Sequence, residues 1–187
     1  MNYIVLDLEW NQAKSKKQLV RKPVILHGEI IQIGAVKLDP DFQTVDTFRS
    51  MVAPVHYTTM QKYVERLTGI SNEDIAAGKP FEEVFRRFQQ WCGEDFSFLT
   101  WGKEDERILR TNLRLYGYPE AWMPKTLDVE RIFNAQFVRA KNQTALSKAV
   151  EQVGETSLTA HDALHDAINT VLVLNHLEKQ EILRVLR

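Results

Sequence analysis

Three stretches decide the fold: YIVLDL at residues 3–8, EIIQIGAVKL at residues 29–38 and QTVDTFRSMV at residues 43–52. The first is a continuous apolar, β-branched run, the pattern of a strand covered on both faces. The second and third are separated by DPDF, which reads as a hairpin turn. The three together predict an antiparallel meander. After residue 52 the period changes. Tyr57–Leu67 reads as a helix stopped by TGIS, and Ser71 with Asp74 forms a short capping signature. Pro80 is placed in the first turn of an amphipathic helix that runs to about Trp91, with Phe81, Val84, Phe85 and Phe88 on one face. Phe96–Trp101 reads as a strand and Glu104–Tyr116 as a helix ended by Gly117. Leu127–Phe137, Thr144–Val153 and Ala163–Leu177 read as helices. A meander followed by alternating helices and strands predicts an α/β domain with a mixed sheet.

The chain has 187 residues, with Lys+Arg 24 against Asp+Glu 25 and a formal net charge of −1. That length and composition predict one globular domain, residues 1–187, and exclude a disordered chain. The balanced charge argues against a polycationic chromatin-type binder, but a local basic patch on a neutral protein suffices to hold phosphates. Cys92 stands alone, so the sequence offers neither an intramolecular disulfide nor a cysteine-based zinc site. A reducing compartment, the cytoplasm, is the expected location. The opening MNYIVLDLEW carries acids and no basic leader, unlike a signal peptide. The longest uncharged run, Ser50–Gln61, has 12 residues, too few to span a membrane, so no membrane association is expected.

The chemistry lies in the acids. Asp7 and Glu9 are two apart on the first strand and so share a face. They are either the exposed polar edge of that strand or, if the strand is central, buried acids that need a cation. Asp105 stands in the first turn of a helix, where Glu104 and Glu106 serve the macrodipole equally well. The run AHDALHDAINT, residues 160–170, allows three readings. His161 and His165 could form a zinc pair at i and i+4, although HDALH lacks the Glu of HExxH. Asp166 could be a metal ligand with His161 free to swing over the same centre. Alternatively, Thr159 or Asp162 simply caps the helix. Carboxylates without thiolates favour a hard cation, Mg²⁺ or Mn²⁺. Two such ions suit in-line phosphodiester cleavage, with a histidine as the base for water.

In order along the chain, LDLEW, EIIQIGAVKLD, LTGISNEDIAAGKPFEEVFRRFQQW, WGKEDERIL and HDALHDA resemble the motifs of the DEDDh 3′→5′ exonucleases. The resemblance implies a ribonuclease H-like fold with a five-stranded mixed sheet flanked by helices. It implies release of nucleoside 5′-monophosphates from the 3′ end of RNA or DNA, and two divalent ions, Mg²⁺ or Mn²⁺. By the same resemblance Asp7, Glu9, Asp105 and Asp166 are metal ligands, Glu9 and His161 are catalytic, and His161 is the general base. Leu8, Trp10 and Trp101 lie toward the terminal nucleotide. The partner implied is a single-stranded 3′ end. The branch it is most similar to acts on small RNA and histone mRNA, which favours RNA.

Two features depart from the family pattern. Trp10 follows Glu9 where relatives carry a small residue, and it either stacks on a base or belongs to the core. Residues 11–28 carry Lys14, Lys16, Lys17, Arg21 and Lys22 and no acid. This long segment either guides a nucleic-acid backbone or is a solvated loop. Trp122 and Trp101 are further stacking candidates, with core packing as the alternative. Two rival functions share the fold: a ribonuclease H-type endonuclease, and a binding or regulatory module without catalysis.

Overall fold

The structure is a computed structural model that describes residues 1–138 and 143–186. The meander is present as β1 (Asn2–Asn11), β2 (Glu29–Leu38) and β3 (Thr44–Ala53), with β1–β2 and β2–β3 both antiparallel. Then follow α1 (Lys62–Thr68), α2 (Asn72–Ala77), β4 (Lys79–Pro80), α3 (Phe81–Cys92), β5 (Phe96–Thr100) and α4 (Glu104–Leu115). A short 3-10 turn leads to β6 (Thr126–Asp128), α5 (Val129–Phe133) and a π-helical turn, Asn134–Val138. The chain closes with α6 (Leu146–Gln152), α7 (Ala163–Leu174) and α8 (Lys179–Leu186).

The sheet order is β4-β3-β2-β1-β5-β6, with β5 parallel to β1 and β6 parallel to β5. There are six strands instead of the expected five. The additional one is the two-residue β4, which pairs with the end of β3 through Val52–Lys79 and Ala53–Pro80. Pro80 tolerates this edge position because no further strand asks for its missing N–H.

β1 is central and covered on both faces. Ile4, Leu6 and Leu8 face one core, with Val84, Phe85 and Phe88 of α3 and Ile108 and Leu109 of α4. Tyr3 and Val5 face the other core, with Ala167, Val171 and Leu174 of α7. Strand alternation carries Asp7 and Glu9 onto that second face. The pairs Asp7–Gly34 and Glu9–Gln32 are in register, and a bulge follows between Glu9 and Trp10. The bulge ends regular pairing and re-aims Trp10.

Other elements differ from expectation for identifiable reasons. The helix expected from Tyr57 begins at Lys62. The preceding N–H groups of Val55, His56 and Tyr57 are bound by the buried carboxylate of Glu29, at 2.7–3.1 Å. Asn11 holds the same segment through the carbonyls of Tyr57 and Thr59. Pro80 caps α3 from outside instead of entering its first turn. The stretch from Leu127 begins as β6 because it pairs with β5, a tertiary contact that overrides helical periodicity. Among the described residues no helix is long and apolar enough to cross a membrane.

The close approach of α7 to β2 depends on Gly34. A Cβ there would lie 2.1 Å from the backbone of Ala163 and Leu164. Gly34→Ala is therefore expected to push the start of α7 off the sheet and destabilise the fold by about 1–3 kcal/mol, the usual range for overpacking. Urea unfolding measures this, and an unchanged midpoint would contradict the packing.

Candidate active site

Asp7, Glu9, Asp105, Asp166 and His161 all line one cavity of about 370 Å³. The four acids arrive from three elements, β1, α4 and α7. Asp7 and Glu9 come from the sheet face described above. Asp105 comes from the first turn of α4 on the opposite side, and its Oδ1 accepts the N–H of Leu8 at 3.0 Å. This bond ties the third acid, Asp105, to the strand that bears the first two. Glu104, also in that turn, lines the cavity but pairs with Arg107, and Glu106 pairs with Arg110.

The start of α7 is fixed by polar contacts around Gly34. Gln32 Oε1 accepts the N–H of Ala163 at 2.8 Å. Asp162 caps the helix by accepting the N–H of His165, and its carboxylate forms an ion pair with Arg49. One turn on, Asp166 Oδ2 accepts the N–H of His161 at 2.7 Å, while Asn169 donates to Oδ1. His161 has φ 63°, the left-handed region that costs a non-glycine residue energy. Its imidazole is exposed. Ligand atoms of Glu9, His161 and Asp166 lie within 4.8 Å of one another.

His161 precedes α7, so it shares no helical face with His165. His165 does not line the cavity, and its Nδ1 is buried without a partner. A zinc pair from these two histidines therefore has no support in the geometry.

Leu8, Trp10 and Trp101 form an apolar wall of the same cavity. Trp10 also packs against the core and over Gly28, where a Cβ would meet its ring at 2.3 Å. Trp101 is fixed by its indole N–H to Thr144 O at 2.9 Å and by packing on Phe133. Trp122 lies instead among Phe85, Phe88, Phe96 and Phe98, away from the cavity. Tyr63 and Leu67 add to the apolar wall, and Tyr63 is 63% exposed. Their i, i+4 spacing on α1 was a signal in the sequence, but their use as cavity wall required the position of α1. Gln32, Gly34 and Arg49, which dock α7, carried no chemical signature.

No Lys or Arg among the described residues lines the cavity. Burial, with Asp166, Asp105 and Asp162 nearby, pushes Glu9 up from 4.5 to about 8. Burial likewise lifts Asp105 to about 7, against the opposing bond from Leu8. Asp7 is raised well above the carboxylate range by burial and by its acidic neighbours, and burial raises Asp166. An all-oxygen cluster of uncompensated acids, with one imidazole beside it, fits divalent cations.

Residues 4–174 match the RNase_T exonuclease family model. The chain belongs to the RNase_T exonuclease family. It is similar to a probable 3′-5′ exonuclease, KapD, of Bacillus subtilis (strain 168), with 26% identity over 180 residues covering 95% of this chain and 85% of that protein. It is also similar to a PolC-type DNA polymerase III of Bacillus cereus, 23% identical over 192 residues, covering 89% of this chain and 12% of the polymerase. Among solved structures, the nuclease domain of 3′hExo, a DEDDh family member bound to rAMP, gives a TM-score of 0.78 at 20% identity, covering 94% of this chain and 90% of that one. Escherichia coli exonuclease I with a dT13 oligonucleotide gives 0.73 at 16%, covering 97% and 42%. The fold is the ribonuclease H-like fold of these exonucleases.

A pH dependence of stability follows for the metal-free exonuclease. Glu9 holds its proton in the fold to about pH 8 but loses it near 4.5 when unfolded. The stabilising difference is full below the lower value and is lost as pH rises through the upper one. Thermal unfolding with chelator present should show wild-type stability falling relative to Glu9→Gln between about pH 4.5 and 8. Parallel curves would contradict the raised Glu9.

Proposed function

We propose that this 3′→5′ exonuclease hydrolyses single-stranded nucleic acid from its 3′ end and releases nucleoside 5′-monophosphates, with RNA favoured over DNA. Asp7, Glu9, Asp105 and Asp166 hold two divalent ions, Mg²⁺ or Mn²⁺. Bound there, such ions supply Lewis-acid polarisation of the scissile phosphate and neutralise charge at the leaving oxygen. The observation that carries the reading is the approach of Glu9, His161 and Asp166 within 4.8 Å at the mouth of a carboxylate-lined cavity.

The chain's own groups divide the work. His161 is the general base: it takes a proton from the attacking water, a role suited to an imidazole whose unperturbed pKa lies near neutrality. Its backbone N–H, bound to Asp166, and the docking of Asp162 on Arg49 fix where the ring starts. Leu8, Trp10 and Trp101 receive the terminal sugar and base, with Tyr63 and Leu67 extending that apolar surface. The aromatic wall, and the absence of a lining Lys or Arg among the described residues, leave phosphate affinity to the ions and to residues outside the cavity. The protein is expected to work in the cytoplasm.

Oligomers labelled at the 5′ end should give a descending ladder with Mg²⁺ or Mn²⁺ and none with EDTA. A blocked 3′ end should stop cleavage; cutting of the blocked oligomer would reveal an endonuclease. Asp7→Ala and Asp166→Ala should abolish cleavage, and full activity in either would remove the metal-site assignment. His161→Gly is the sharper variant for the base. Glycine relieves the left-handed backbone, so folding stability should be equal or higher while the rate falls at least ~100-fold, the low end for general-base catalysis. A near-wild-type rate would remove His161 from the mechanism.

A further inference from the structure

A second pocket, of about 320 Å³, adjoins the catalytic cavity. Gln12, the residue after β1, lines both. The other walls are Lys14 and Gln18 from the basic segment and His56, Tyr57, Thr58, Thr59 and Gln61 from the chain before α1. Among the described residues no carboxylate lines it. Its polar side chains can donate hydrogen bonds, Lys14 adds a positive charge, and the amide nitrogen of Gln61 is buried without a partner. A buried donor left unmatched is a cost that an incoming acceptor would remove.

The wall is rigid. The N–H groups of Val55, His56 and Tyr57 are bound to Glu29. The carbonyls of Tyr57 and Thr59 are bound to the Asn11 amide at 2.7 and 2.9 Å. The Tyr57 hydroxyl donates to Leu26 O and accepts from Val20 N, which also anchors the basic segment on this wall. The side chains of Lys14, Gln18, Thr58, Thr59 and Gln61 line the pocket around this framework.

We propose that this pocket binds a backbone phosphate of the substrate strand, 5′ of the bond that is cut. The inference rests on the exonuclease reading above and adds to it where the strand leaves the active site. A strand whose 3′ nucleotide occupies the carboxylate cavity and continues past Gln12 would meet this wall; a further pocket adjoins the cavity at Thr68, but Asp74 and Asp162 line it beside Arg49 and disfavour a phosphate there. The cavity itself repels phosphate in the absence of metal, so a cationic, donor-lined neighbour supplies attraction along the strand. The ligand class is a phosphodiester of single-stranded nucleic acid, recognised through charge and hydrogen bonds and not through its bases.

The test is substrate length. Dinucleotides reach only the catalytic cavity, whereas octanucleotides reach the pocket. The wild-type protein, with Mn²⁺, should show a lower KM for the octanucleotide. In Lys14→Ala and in Lys14→Ala/Gln61→Ala that advantage should shrink, by ~10-fold in the double variant, the scale of lost charge-assisted hydrogen bonds. Lys14→Arg should retain it. The slope of log KM against log salt on the octanucleotide should also weaken by ~0.7 for Lys14→Ala, the value for one phosphate contact on a single strand. An unchanged length advantage and salt slope in both variants, with cleavage intact, would overturn the subsite and leave the exonuclease reading standing. A wild-type protein that cleaves neither length would overturn both.

Discussion

Confinement of like charge governs this molecule. Asp7, Glu9, Asp105 and Asp166 share one cavity, and no lysine or arginine among the described residues lines it. Their pKa values all rise, with Glu9 at about 8 and Asp105 at about 7. Acids left to structure alone are paired with a base or turned to solvent. Here the fold brings them together from β1, α4 and α7, an arrangement that is unfavourable without counter-ions and becomes favourable with them.

The supporting contacts make sense in that light. The Leu8 N–H holds Asp105 across from Asp7 and Glu9. Gln32, directly opposite Glu9 in the sheet, accepts the first helical N–H of α7. Gly34, directly opposite Asp7, lets that helix descend onto the strand. Arg49, opposite Gly34 on the next strand, pairs with the helix cap Asp162. A row of residues across three strands thus positions the helix start, and His161 is left in a strained conformation at the rim. Strain of this kind persists only where neighbouring contacts over-determine it.

Much of this was legible from residue order. The run Tyr3 to Leu6 marks a strand covered on both faces, which left Asp7 and Glu9 as either an exposed polar edge or acids in need of a cation; in the structure Glu9 is buried and Asp7 half-buried. The order of the motifs containing Asp7, Asp105 and Asp166 carried the family. Less legible were features that depend on contacts distant in sequence. The buried Glu29 carboxylate captures three backbone N–H groups and delays α1 to Lys62, which periodicity cannot show. Pairing with β5 turns Leu127 into strand. The polar residues Gln32 and Arg49 looked like ordinary sheet surface, and their role emerged only once α7 lay across them.

The central claim is that these carboxylates are assembled to bind divalent ions. Calorimetric titration of Mn²⁺ into the metal-free protein at pH 7, repeated in buffers of different ionisation enthalpy, tests it directly. The account predicts binding of two ions accompanied by release of protons, because carboxylates raised toward neutrality must lose them to ligate. Asp7→Asn should weaken both binding and proton release. Absence of binding, or binding without proton release that survives Asp7→Asn, would contradict it.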